Sequence, residues 1–263
     1  MSTFVLVHGA CHGGWSWRPV AEILREQGHT VHTPTLPGLG AEDARADVRL
    51  ADSVSALVEY VESRDLRDIV LVGHSWGGFP VSGAAASIAD RIDRLVYWSA
   101  FVPRTGESLI DLCPPPYGEM FRASAQSSRD NSVMFPFEVF TAAFMQDAGP
   151  EVQRVIHPLL ERQPFHTMND SLDLEDWARL ALPSVYLLSD DDLALPPGEY
   201  GWDRFADRLP AGSPMLRTPG SHEAQLTTPA TLAASFVEAA TVPLDSASSG
   251  PTPASVGAGR PQE

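Results

Sequence analysis

Ile69-Val70-Leu71-Val72-Gly73-His74-Ser75-Trp76-Gly77-Gly78 is an apolar run that stops at a G-x-S-x-G pentapeptide. The run has the length and side chains of a buried strand. Phe79 to Ala89, rich in Ala, Gly and Ser, suits a helix packed closely on a sheet. Strand, pentapeptide and helix together predict a nucleophile elbow, a sharp turn that holds a serine in a strained conformation with its hydroxyl exposed. Gly73, Gly77 and Gly78 let neighbouring backbone pass close to the turn. Ser75 is the candidate nucleophile.

An activated serine needs a general base, a group that orients the base, and donors for the developing oxyanion. Ser184-Val185-Tyr186-Leu187-Leu188 reads as a buried strand, with Ser189-Asp190-Asp191-Asp192 at its C-terminal end. Ser213 to Thr218 reads as a further strand, ending in Pro219-Gly220-Ser221-His222. Open α/β sheets carry their chemistry at the C-terminal ends of strands. His222 is favoured as base over the histidines at 8, 12, 29, 32, 74, 157 and 166. His29 and His32 flank a short strand, His74 is expected to turn into the fold, and His157 and His166 fall in an insertion. Spacing gives a modest preference for Asp192 as the orienting acid; Asp190 and Asp191 suit solvent-facing loop or helix-capping roles. The residue after the nucleophile, Trp76, offers one oxyanion N–H at a helix start. The turn His8-Gly9-Ala10 offers a second from Ala10.

Phe4-Val5-Leu6-Val7-His8-Gly9-Ala10-Cys11-His12-Gly13-Gly14-Trp15-Ser16-Trp17, with the elbow, resembles plant methylesterases and hydroxynitrile lyases of the α/β-hydrolase superfamily. Similar bacterial esterases, including pyrethroid-hydrolase-like ones, share it. The likeness is fair over residues 184–226 and weak through the middle of the chain. It implies Asp192, four residues before Pro196, as the acid, His222 as the base, and Ala10 and Trp76 as oxyanion donors.

Two positions separate the branches of that family. The hydroxynitrile lyases it resembles carry threonine where this chain has Gly9, and lysine where it has Glu223. The chain contains no lysine; all 18 basic residues are arginine. Cyanide release relies on a cation near the leaving anion, so ester hydrolysis is expected instead. Schiff-base chemistry and a P-loop lysine are excluded as well. Glu223 can raise the imidazole's pKa and disfavour anionic acyl groups near the pocket, or point away from the site, either solvated or packed against the residues behind it. The latter is expected, because adjacent loop side chains often diverge.

With 263 residues and 43% hydrophobic content, the chain can bury a large core. Strands are predicted at 3–8, 29–33, 68–73, 92–98, 184–189 and 213–218, and helices at 15–27, 50–64, 76–88, 198–208 and 229–240. This alternation predicts an α/β architecture: a mainly parallel central sheet with helices on both faces. The formal net charge of −16 disfavours nucleic acid as a partner. Two cysteines imply no disulfide framework. Met1-Ser2-Thr3 runs straight into the first strand and no apolar run can span a membrane, so a cytoplasmic location and no membrane partner are expected. The oligomeric state is left open.

Residues 102–181 interrupt the strand rhythm and are expected to form a cap between core segments 1–101 and 182–242. Phe121, Phe135, Phe137, Phe140, Phe144, Met145 and Phe165 are candidates for an apolar substrate pocket under it. Residues 243–263, rich in Pro, Ser, Gly and Ala, read as a disordered tail. The expected function is a serine carboxylesterase acting on a small or medium uncharged, apolar or aromatic ester, without metal or organic cofactor. A lyase or cyclase reusing the site and a small-molecule receptor with a vestigial triad are the alternatives.

Overall fold

The computed structural model describes residues 1–244; positions 245–263, nearly all of the segment expected as a tail, lie outside the described residues. Six parallel strands form the central sheet: β1 (Thr3–Val7), β2 (Thr30–His32), β3 (Ile69–His74), β4 (Ile92–Trp98), β7 (Ser184–Ser189) and β8 (Met215–Thr218). Their order is β2-β1-β3-β4-β7-β8. A separate antiparallel ladder pairs β5 (Ser132–Val133) with β6 (Gln163–Pro164), inside the long segment between β4 and β7. Strand side chains alternate between two cores, as period two dictates. Val5, Ile69, Leu71, Leu95 and Tyr97 enter one. Phe4, Leu6, Val70, Val72, Val96 and Trp98 enter the other. Both faces are buried, which explains why the strands read as continuous apolar runs rather than half-polar ones.

Helix α1 (Arg18–Glu26) and the helix Pro229–Thr241 cover one face, where the Trp17 ring packs 5.6 Å from Trp98 and 5.9 Å from Phe236. Helices α2 (Leu50–Ser63) and α3 (Gly78–Ala85) cover the other. The chain steps from β1 outward to β2, then crosses back to lay β3 on the other side of β1. Loops after β1 and β3 therefore diverge and open a crevice at the C-terminal edge of the sheet.

Two predicted elements change. The helix expected at 198–208 is a 3-10 helix confined to Trp202–Arg208, because Gly198 sits at φ +95°, outside the helical region. The last strand begins at Met215 rather than 213; Pro214 has no N–H for the ladder, although its carbonyl accepts a bond from Tyr186 N–H. Among the described residues, no helix is long and apolar enough to cross a membrane.

Candidate active site

Ser75 directly follows β3 at φ +52°, a left-handed conformation that costs a non-glycine residue energy and holds its side chain proud of the turn. The turn survives because its neighbours are glycines. A Cβ at Gly78 would lie 1.9 Å from the Phe101 carbonyl oxygen, and one at Gly77 would lie 2.7 Å from that of His8. Phe101 N–H donates to the Ser75 carbonyl, fastening the elbow to the segment after β4. Trp76 Nε1–H donates to Thr167 O at 2.9 Å, fastening it to the insertion.

His222 lies beyond β8, and its Nδ1 is 2.6 Å from Asp192 Oδ2, with both side chains almost fully buried. The second carboxylate oxygen of Asp192 accepts Ala194 N–H at 2.9 Å. Asp190 and Asp191 are exposed, and Asp190 pairs with Arg217 instead. The imidazole is held on its faces as well: Trp202 stacks on it at 5.4 Å, His74 lies at 4.5 Å, and Phe144 presents an edge at 5.1 Å. Burial, aided by the nearby His222 and His12, holds the His74 pKa well below the usual histidine range, so no second cation stands behind His222.

The loop after β1 is ordered by hydrogen bonds from its own histidines. His8 accepts Leu36 N–H on Nε2, so its proton sits on Nδ1 and is donated to Gly9 O at 2.9 Å. A trans peptide sets C=O and N–H on opposite sides, so pinning the Gly9 carbonyl also fixes the direction of the Ala10 N–H. Burial pushes His8 down to about pKa 4 and keeps it in this neutral form. Cys11 N–H donates to Gln163 Oε1 and the Cys11 carbonyl accepts from Glu161, so the insertion grips the loop from outside.

Ser75 borders two adjoining cavities. One is walled by Phe101, Leu109, Phe121, Phe135, Phe144 and Trp202, among others. The other, smaller one brings Ala10, His12, Ser75, His222, Glu223 and Phe140 together. Four of the aromatic pocket candidates, Phe121, Phe135, Phe140 and Phe144, border these spaces. Phe137 and Phe165 do not: Phe137 packs edge-on against His157, and Phe165 is a half-buried side chain of the larger core. Met145 is fully buried. The sequence reading missed Leu109, Cys113, Tyr117, Met168, Leu195 and Trp202. Leu195 was findable, since it follows Asp192 closely. A larger open groove beside Pro183, Arg208 and Leu209 carries none of these groups.

Glu223 turns away from the imidazole, and of the two expected settings it takes the packed one: it is 1% exposed, not solvated. Its Oε2 accepts Gln225 Nε2–H at 2.6 Å and lies 3.1 Å from His12 Nε2, an ion-pair contact without the alignment of a hydrogen bond. His157 and His166 bond Phe135 O and Arg49, away from the elbow.

A model of the α/β hydrolase family matches residues 4–235. Among relatives, a carbendazim-hydrolysing esterase of Nocardioides sp. (strain SG-4G) is 34% identical over 251 residues, spanning 89% of this chain and 97% of that one. Methylesterase 8 of Arabidopsis thaliana is 29% identical over 216 residues, spanning 76% and 75%. Among solved structures, an extracellular α/β-hydrolase from a Paenibacillus species, described as a structural and functional homologue of tobacco salicylic acid binding protein 2, superposes with a TM-score of 0.86. It is 30% identical and the match covers 91% of this chain and 99% of that one. With its parallel sheet, strand-end serine turn and near-complete family match, the chain belongs to the α/β hydrolase family.

Proposed function

We propose that the protein is a serine carboxylesterase that cleaves a small or medium uncharged ester with apolar or aromatic surface. The observation that carries this reading is a strained Ser75 sharing one small cavity with His222, whose Nδ1 is held 2.6 Å from Asp192. Ser75 Oγ attacks the ester carbonyl as His222 Nε2 takes its proton. Asp192 keeps the other imidazole proton on Nδ1 and stabilises the imidazolium. Ala10 and Trp76 N–H groups receive the oxyanion, the latter from the 3-10 turn that leads into α3, where the helix dipole favours negative charge. His222 returns the proton to the departing alcohol, then activates water to release the acid from Ser75. The apolar, largely aromatic lining of the first cavity supports the substrate class. Esterases among its relatives, one of them carbendazim-hydrolysing, support ester cleavage over cyanohydrin cleavage.

The test is covalent. A fluorophosphonate should add one adduct at Ser75, abolish turnover of a methyl and aryl ester panel, and leave Ser75→Ala unlabelled. Retained turnover in Ser75→Ala would refute the mechanism.

A further inference from the structure

Two buried groups beside the proposed catalytic residues have no part in the mechanism above. Glu223 follows His222 directly, and His12 lies two residues beyond Ala10. They meet at 3.1 Å, with side chains 1% and 4% exposed. His12 Nδ1–H donates to the Ala10 carbonyl at 2.8 Å. Glu223 N–H reaches the Phe144 carbonyl and Ser221 Oγ, so its backbone is tied to the same loop that carries the base. A continuous path therefore runs from the base loop through Glu223 and the His12 ring to the Ala10–Cys11 peptide. Between those two loop residues the chain is strained: Cys11 sits at φ +63°, a conformation that persists only when its surroundings hold it.

We propose that His12 and Glu223 form a charged positioning pair that locks the oxyanion loop to the base loop, and that full turnover requires His12 to be protonated. The proposal rests on the serine-esterase reading. Neither residue touches reacting atoms; each acts through Ala10 or His222. An unpaired carboxylate in this position would be buried beside the base, which is costly unless a cation answers it.

The surroundings leave the proton on His12. Burial is the largest influence and lowers its pKa, but the Glu223 charge, the Glu223 carboxylate contact and the Ala10 carbonyl together outweigh burial and raise it. His8 and His74 face it from the ends of β1 and β3, and burial keeps both neutral. The Cys11 thiol, pushed up to about 12 by burial, stays protonated, and the Arg162 charge acts on that thiol. Gln225 contributes a neutral amide across Glu223, and Trp15 stacks on the His12 ring at 5.6 Å. The sign follows: the pair is intact below the raised His12 pKa and is lost as pH rises through it.

The experiment compares wild type with His12→Gln, Glu223→Gln and the double variant. Circular dichroism measures folding, fluorophosphonate titration counts competent Ser75, and kcat and KM are followed across pH. Glu223→Gln should lower kcat per titrated site by about tenfold to a hundredfold, the scale of a displaced catalytic group, with KM nearly unchanged. Its alkaline limb should move to lower pH, because burial is then opposed only by the Ala10 carbonyl. His12→Gln keeps a donor but cannot titrate, so it should lose the alkaline limb altogether. The double variant should be no slower than the worse single one. Unchanged kcat per site in both single variants, or a wild-type alkaline limb that is absent or survives in His12→Gln, would overturn the pair's role. Failure of wild type to label at Ser75 would instead overturn the esterase reading.

Discussion

Asp192→Asn isolates the proposed orienting acid, and the geometry sets both direction and size. Asp192 Oδ1 accepts Ala194 N–H, so an asparagine must keep its carbonyl oxygen there and turn its NH2 toward His222. An NH2 facing Nδ1 demands an acceptor, which forces the imidazole proton onto Nε2, the nitrogen that must receive the proton of Ser75. The side chain is buried, so water cannot restore the other tautomer. The equivalent change in serine proteases lowers turnover about ten-thousandfold, or about 5.5 kcal/mol of transition-state stabilisation. Asp190→Asn breaks only an exposed contact with Arg217, and pairs of that kind contribute at most about 1 kcal/mol to stability and nothing directly to the chemistry. Asp191→Asn touches an exposed side chain. The assay is steady-state kcat on an ester panel, divided by the fluorophosphonate-titratable fraction, with circular dichroism on each variant. A severe loss at Asp190 or Asp191 with Asp192→Asn near wild type would refute the assignment.

Gly78→Ala should destabilise the fold by at least about 3 kcal/mol, because its Cβ meets the Phe101 carbonyl at 1.9 Å; a thermal melt shifted by under about 2 °C would contradict this. Mandelonitrile should release no cyanide above background, since Glu223 stands where a cation would be needed. Gly9→Thr should not create that activity, because a Cβ there already presses His74 Nδ1 at 3.0 Å and Ser75 at 3.2 Å; enzyme-dependent cyanide from either protein decides against it. Phe121→Ala should raise KM for aryl esters by about tenfold, because it strips an aromatic wall from the pocket. Phe137→Ala, remote from the cavity, should leave kcat/KM within about twofold.

What the sequence made legible was local. The β3 run and its glycines predict a strand followed by a strained turn, because those requirements act over adjacent residues. The remaining strands were readable for the same reason: two buried faces demand uninterrupted apolar residues. The insertion offered no such signal. Its aromatic residues imply burial, and only tertiary packing separates Phe121, at the cavity, from Phe165, in the core. Trp202 escaped notice because its role depends on how the short helix after Gly198 lies against His222.

Glu223 shows the limit most clearly. The expectation that adjacent loop side chains diverge was sound: His222 turns to Asp192 and Glu223 turns to His12. What does not follow from divergence is exposure. The Phe144 backbone closes over the Glu223 N–H, and the loop after β1 brings His12 to its carboxylate, so the second direction also leads into protein. A buried carboxylate must find a partner, and in a chain without lysine the partner must be arginine, histidine or a neutral donor. Here the partner is a histidine, the one cationic choice that can lose its charge within the physiological range. An arginine would have fixed the two loops together at every pH; a histidine makes their connection depend on it.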